Sequence, residues 1–262
     1  MSNIHPSAIV SDSALLEDGV TIGPYSIIGE GVKLGSGTTV LSHCSIHRCT
    51  IGNHCLVDNF STLGGLPQIA GFDSTKAGTI IIGDNTVVRE HVTLSTASAK
   101  DKLTKIGNHC LLMACSHVGH DCTLENNITL ANSALLGGHV HLQNDCFIGG
   151  NSAIHQGCLV GAGTIISGIS GASKHVPPHS IIANRNELIG LNLIGLRRRG
   201  VSSAAISELS NHFTIIFKKM SGRLEERAEK LLSENKIEYN ETLQFLKFFR
   251  NKAPKGFCTP RK

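Results

Sequence analysis

Tryptophan is missing from this chain, and aromatic residues make up only 4% of it. A globular core of ordinary shape draws more of its mass from rings. No stretch approaches the ~18 consecutive apolar residues of a membrane span. No N-terminal apolar segment has the form of a secretory signal, so the sequence predicts a cytoplasmic protein with no membrane span. Charge is sparse as well: 24 Lys and Arg against 20 Asp and Glu leave +4. That is too weak a cationic surface to argue for nucleic-acid binding. Nine cysteines occur without a CxxC pair, so neither a zinc ribbon nor a dithiol redox motif is indicated.

The few aromatics are unevenly placed. Tyr25, Phe60, Phe72 and Phe147 precede residue 200, whereas Phe213, Phe217, Phe245, Phe248 and Phe249 lie beyond it. Architecture is therefore expected to change near Arg199-Gly200. A second change of pattern follows Pro177-Pro178, and the chain is divided into 1–185 and 186–262.

What the first part has is a repeat, the feature to seek before any other. Counting in sixes from Ile4 gives Val10, Leu16, Ile22, Ile28, Leu34, Val40 and Ile46. The count slips at Ile51, resumes at Val57 and Leu63, and returns at Ile82, Val88 and Leu94. From Ile106 it runs without a miss through Leu112, Val118, Leu124, Leu130, Leu136, Leu142, Ile148, Ile154, Val160 and Ile166. Helical periodicity is absent over this stretch. A short strand and a tight corner take about six residues, and three such units close a triangular coil of about eighteen. Each aliphatic then stacks on its equivalent at the ~4.8 Å inter-strand spacing. The residue two positions earlier also points inward and must be small, as Ser26, Thr38, Thr86 and Thr164 are. Cys44, Cys49, Cys55, Cys110, Cys122, Cys146 and Cys158 occupy the same position and are read as buried thiols in a reducing compartment. Cys115 and Cys258 carry no assignment.

Two segments, about 64–79 and 95–105, lack the period and are expected to loop out. Loops on a rigid scaffold often carry function. In the tail, Ser202 or Ser203 can cap a helix reaching about Lys219. Further helices are expected over Arg223–Glu234 and Glu241–Arg250, with Leu243, Leu246 and Phe249 on one face.

The chemistry lies at the corners. Gly119-His120-Asp121, Gly137-Gly138-His139 and His155-Gln156-Gly157 are eighteen residues apart and stack on one edge, with His117 on the strand before the first. An imidazole titrating near ~6.5 is a competent general base at neutral pH. Asp121 would orient His120 and stabilise its imidazolium. Gly138, with no side chain, could offer its N–H to an oxyanion. With no nucleophilic serine or cysteine in the cluster, the sequence reads as direct acyl transfer. Two other readings remain: a zinc site on His117, His120 and His139, and a non-catalytic scaffold.

The segments His117-Val-Gly-His120-Asp-Cys-Thr, Leu136-Gly-Gly-His139-Val, Ala153-Ile-His155-Gln156, Val176-Pro-Pro and Asn192-Leu-Ile-Gly-Leu-Arg-Arg-Arg-Gly200 closely resemble the UDP-N-acetylglucosamine O-acyltransferase family. The likeness spans essentially the whole chain. It implies a left-handed parallel β-helix of hexapeptide repeats with a C-terminal helical domain, an exception to the right-handed crossover rule. It implies His120 as base, Asp121 as its partner and Gly138 as oxyanion donor. His117, His139, His155 and Gln156 match substrate contacts. Asn192, Arg198 and Arg199 match nucleotide and phosphate contacts, and Gly168 matches the position that limits acyl length. The implied donor is an (R)-3-hydroxyacyl chain on acyl carrier protein, an acidic partner suited to basic Arg197–Arg199 and Lys218-Lys219. The implied acceptor is a UDP-amino sugar, the assembly a homotrimer, with no metal or free cofactor. The pathway's N-acyltransferase has an added N-terminal domain for which Met1-Ser2-Asn3-Ile4 leaves no room. The γ-class carbonic anhydrases share the coil and are the zinc alternative. Two departures bear on the acceptor. Pro67-Gln68-Ile69-Ala70-Gly71-Phe72 stands where the family has Pro-Gln-Asp-Leu-Lys-Tyr, which leaves a 3-amino analogue of the sugar as a second acceptor. Ile194 replaces a glutamate that some members carry near uracil.

Overall fold

The computed structural model of the chain describes residues 2–234 and 237–261. The six-residue period becomes two-residue strands separated by corners, which wind into a left-handed parallel β-helix with three flat faces. Among the described residues these faces are sheets of eleven, nine and eight strands. Strands three apart in sequence are neighbours, as when Asn3–Ile4 pairs in parallel with Thr21–Ile22.

The prism is filled by the residues that the count picks out. Ile22, Ile28, Leu34, Leu112, Leu124 and Ile148 are buried, as are Ser26, Thr38, Thr86 and Thr164. The seven small-position cysteines are buried free thiols, and burial pushes Cys122 and Cys146 up to about 12, so they stay protonated and inert. Cys258 is also buried, whereas Cys115 is exposed.

From Gly19 onward the corners close on a residue in the left-handed region, often not glycine: Tyr25 (φ 58°), His91 (φ 57°), Asp121 (φ 60°) and His139 (φ 60°). That conformation is uncommon for residues other than glycine. Because it recurs coil after coil, it belongs to the scaffold and not to a particular site. At the corner between the eight- and eleven-stranded sheets a side-chain ladder satisfies the turn amides. Asn53, Asp84, Asn108, Asn126 and Asn144 each accept, through Oδ1, a backbone N–H of the preceding coil at 2.7–2.9 Å.

The two excursions are shorter than the sequence suggests. Strands Thr62–Gly65, Thr93–Ser95 and Leu103–Ile106 stay in the sheets, so only 66–78 and 96–102 leave them. Thr104 is fully buried and occupies the small inward position before Ile106. The excursions are tied together: Gly78 N–H donates to the Ala97 carbonyl and Thr96 N–H to that of Gly65, both at 2.8 Å.

Beyond Pro178, Ser180–Ala183 continues the eleven-stranded sheet and turns back through an antiparallel partner, Glu187–Leu191. Four α-helices follow among the described residues: α1 (Leu193–Arg198), α2 (Ser203–Thr214), α3 (Leu224–Glu234) and α4 (Asn240–Phe248). Ser202 caps α2, its hydroxyl accepting from Ala205 N–H. Ile215–Lys219 continues α2 as a π-helical turn, and Arg227 donates to the Ile216 carbonyl there at 2.8 Å. The buried face of α4 is broader than the expected one: Phe245, Leu246 and Phe248 are buried with Phe249, while Leu243 is half-buried. Phe213, Phe217, Phe245 and Phe249 pack edge-on and tilted, with neighbouring centroids 4.9–6.3 Å apart. No helix among the described residues is long and apolar enough to cross a membrane.

Candidate active site

The nine-stranded face carries His117, Leu135, Ala153 and Gly171 in one outward column, each paired in register with the next. Three inter-strand steps give this column a run of ~14 Å. Its side chains shrink from imidazole to glycine, leaving an open strip beside the corners that hold the histidines. A groove of ≈ 660 Å³ lies over the strip near His117, with His120, Gly138 and Gln156 among its walls. A second, mostly apolar cavity of ≈ 460 Å³ adjoins it at Ala153 and Ile154 and reaches His155 and Gly171.

Within the groove the corners stack, His139 N–H donating to the His120 carbonyl and Gly157 N–H to that of Gly138. His120 Nδ1 lies 2.7 Å from Asp121 Oδ2. Burial pushes the Asp121 carboxyl up, but hydrogen bonds from His120 and Ser98 and the nearby His139 outweigh it, holding the group below the usual carboxylate range. An ionised carboxylate only accepts, so Nδ1 carries the proton and Nε2 keeps the lone pair. That nitrogen faces Gly138: a Cβ built on Gly138 would lie 2.5 Å from it. The Gly138 N–H has no acceptor among the described residues. A base and an amide donor therefore sit side by side at the groove wall.

His139 approaches the same Asp121 oxygen, Nε2 to Oδ2 3.7 Å, its ring edge-on to that of His120 with centroids 5.0 Å apart. His117 Nδ1 is 2.8 Å from Thr93 Oγ1. Burial lowers the His117 pKa, and His120 adds to that effect, so the ring is neutral at pH 7. Among the described residues of one chain, the ligand atoms that converge within 4.8 Å are those of His120, Asp121 and His139, so His117 stands outside the group that the zinc reading of His117, His120 and His139 requires.

Several further residues contribute to the site. Ser98, on the second excursion, donates its backbone N–H to Asp121 at 3.1 Å, and Thr104 Oγ1 accepts the Asp121 N–H at 2.9 Å. Gln68, from the first excursion, lines the groove. After the 67–72 segment, Asp73 caps a short turn, its Oδ1 accepting from Thr75 N–H at 3.0 Å, and Lys76 Nζ lies 3.9 Å from Asp73 Oδ2. Gly168 is at the corner on the opposite side of the nine-stranded face, where an added Cβ would meet only Gly150 backbone at 3.5–4.0 Å.

The remaining candidates are elsewhere on the molecule. Asn192 caps α1, accepting from Gly195 N–H at 2.9 Å and donating to the Gly163 carbonyl at 3.0 Å. Arg198 borders a cavity of ≈ 560 Å³ on the outer side of the eleven-stranded sheet, with Ile165, Ile181 and Ile194. Arg199 Nη2 approaches His179 Nδ1 at 3.4 Å. Neither arginine lines the groove beside His120 within one chain.

His179 gives a stability prediction. Burial, with the Arg199 guanidinium beside it, pushes this imidazole down to about 4. Between the unfolded value near 6.5 and that value, the unfolded chain binds a proton that the native chain does not. Stability is therefore lost as pH falls through this window, by about 2 kcal/mol at pH 5. Thermal unfolding of His179→Gln should show a smaller acid loss between pH 7.5 and 5 than the parent. Equal losses would place the acid sensitivity elsewhere.

The comparisons with known proteins show which family the chain resembles along its length. Residues 175–258 match a family model described as the second domain of UDP-N-acetylglucosamine O-acyltransferase. An acyl-[acyl-carrier-protein]–UDP-N-acetylglucosamine O-acyltransferase of Thermodesulfovibrio yellowstonii is 39% identical over 89% of this chain and 91% of its own. One from Campylobacter lari is 40% identical over 91% and 90%. The solved UDP-N-acetylglucosamine acyltransferase of Campylobacter jejuni superposes with a TM-score of 0.90 at 34% identity, over 99% of this chain and 100% of that one. With relatives 39–40% identical over about nine tenths of both chains and a solved structure matched along its whole length, this chain belongs to the acyl-[acyl-carrier-protein]–UDP-N-acetylglucosamine O-acyltransferase family.

Proposed function

We propose that this acyltransferase moves an (R)-3-hydroxyacyl group from acyl carrier protein to the 3-hydroxyl of UDP-N-acetylglucosamine, the first step of lipid A synthesis. The observation that carries the mechanism is the His120–Asp121 hydrogen bond, which leaves Nε2 basic beside the Gly138 amide. Nε2 takes the proton of the sugar hydroxyl as its oxygen attacks the thioester carbonyl. The Gly138 N–H receives the developing oxyanion. Collapse breaks the carbon–sulfur bond, and the imidazolium returns its proton to the departing thiolate. Asp121 stays ionised throughout and stabilises the imidazolium. The acyl chain lies along Leu135, Ala153 and Gly171 towards Gly168, and His117, His139, His155 and Gln156 position the two substrates. No metal or free cofactor takes part.

We infer a homotrimer as the working form. Arg198 lies on a different face from His120, so a neighbouring chain would supply it, with Arg199, to the nucleotide phosphates. Asn192 acts by holding α1 in place. Ile9, Ile27, Leu135 and Phe147 are exposed on the nine- and eleven-stranded faces and favour burial between chains. Its place of work is the cytoplasm, where acyl carrier protein would meet the basic helical tail.

A test of the acceptor uses purified enzyme with 3-hydroxyacyl carrier proteins of graded length and either UDP-N-acetylglucosamine or its 3-amino analogue. The expected product, identified by mass, is the ester. An amide formed only with the amino sugar would assign the enzyme to that acceptor, a reading favoured by the altered 67–72 segment. Acylation of neither sugar would refute the proposed reaction.

A further inference from the structure

His155 lines the apolar cavity that adjoins the catalytic groove at Ala153 and Ile154, and the C-terminal tail reaches it. The tail is clamped to the last coils. Gly256 O accepts from His175 N–H at 3.0 Å, and Cys258 N–H donates to His175 O at 2.8 Å. The His175 ring fixes the same stretch from the other side. Its Nδ1 accepts the Leu159 N–H at 3.0 Å, so its Nε2–H is left to donate to the Lys252 carbonyl, also at 3.0 Å. Phe257 and Cys258 are buried beneath. Lys255 lies between these anchors. Its Nζ is 2.8 Å from His155 Nδ1 and 2.9 Å from the Gln156 carbonyl.

An ammonium group only donates. His155 Nδ1 must therefore accept, and the ring's own proton must sit on Nε2. The longer approach of Nδ1 to the Gln156 carbonyl, 3.2 Å, joins two acceptors in this tautomer and is not a hydrogen bond. The carbonyl takes its proton from Lys255 instead. Nε2 has no protein partner among the described residues and is the free edge of the ring.

We propose that Lys255 is a positioning residue for acyl transfer: carried by the clamped tail, it locks His155 as the tautomer that presents Nε2–H to the bound substrates. His155 then recognises an acceptor atom, a hydroxyl or carbonyl oxygen of the acyl donor. It does not compete with His120 for the proton of the attacking hydroxyl. The kinetic part of this inference rests on the proposed acyl transfer; the tautomer does not.

The experiment pairs ring-nitrogen NMR with a double-mutant cycle on the full-length protein. Histidine-labelled enzyme, with His155 assigned by its loss in His155→Gln, should show Nε2 protonated and Nδ1 bare. Lys255→Met should redistribute the proton between the two nitrogens, and Lys255→Arg, which still donates, should restore the parent pattern. With a 3-hydroxyacyl carrier protein and UDP-N-acetylglucosamine, Lys255→Met should lower kcat/KM about tenfold, the order expected for one hydrogen bond to a charged group. In a His155→Gln background the same change should cost less than about twofold. A His155 ring pattern unmoved by Lys255→Met, or effects that multiply in full, would overturn the proposal. An enzyme without acyl transfer but with the locked ring would refute the reaction and leave the tautomer assignment standing.

Discussion

His120→Ala is expected to slow acyl transfer by at least ~10²-fold while leaving the apparent KM for both substrates nearly unchanged. The groove offers no substitute base with the same geometry. His139 is the nearest imidazole, but its Nε2 points back towards Asp121 at 3.7 Å. His117 is tied to Thr93. The fold should be untouched, because the inward residues of that coil, Val118 and Cys122, pack without the His120 ring. Steady-state kinetics with sedimentation of the variant checks both halves. Turnover within threefold of the parent would remove His120 from the role of base.

Gly138→Ala is expected to be nearly as damaging, although it removes no polar group. The new methyl would lie 2.5 Å from His120 Nε2 and 2.6 Å from Cε1, closer than atoms can approach. Backbone at this corner is held by the His139 N–H to His120 carbonyl and Gly157 N–H to Gly138 carbonyl hydrogen bonds, so the imidazole must give way. It cannot do so without stretching its 2.7 Å bond to Asp121. A shift of about 1 Å in a catalytic group costs on the order of 10²-fold, so kcat should fall by about that factor. The alanine also crowds the space an oxyanion would enter. Wild-type kcat in Gly138→Ala would mean that neither the base nor the oxyanion works at this corner.

The coil was legible because one rule, an aliphatic every sixth residue with a small partner two before it, repeats through it. Ile106 to Ile166 carries that rule without interruption, and the cysteines obey it as well as the serines and threonines do. The excursions were read as too long because only aliphatic positions were counted. Ser95 and Thr104 keep the inward pattern without an aliphatic side chain and remain in the sheets. The hairpin closing the coil was missed, although Asn184-Arg185-Asn186 is a turn sequence and both asparagines adopt the left-handed conformation. Helix α1 is six residues long and too short to show a period; its one signal was the capping Asn192.

The site divides in the same way. His120, Asp121, Gly138 and His139 could be placed together because eighteen residues return the chain to the same corner. Ser98 could not be found, since it contributes a backbone amide. Lys255 could not be found, since about a hundred residues separate it from His155 and no periodicity connects them. The resemblance implies nucleotide contact for Asn192 and Arg199; within one chain their polar groups meet Gly163, Gly195 and His179.

The most direct test follows the acyl group through a single turnover. Enzyme in excess over a labelled 3-hydroxyacyl carrier protein is mixed with UDP-N-acetylglucosamine, quenched at intervals, and the intact chain is weighed. Direct attack, with His120 as base, requires label to pass from carrier to sugar while the protein keeps its unmodified mass at every time. A chain heavier by one acyl group, formed and lost at a rate matching turnover, would contradict it.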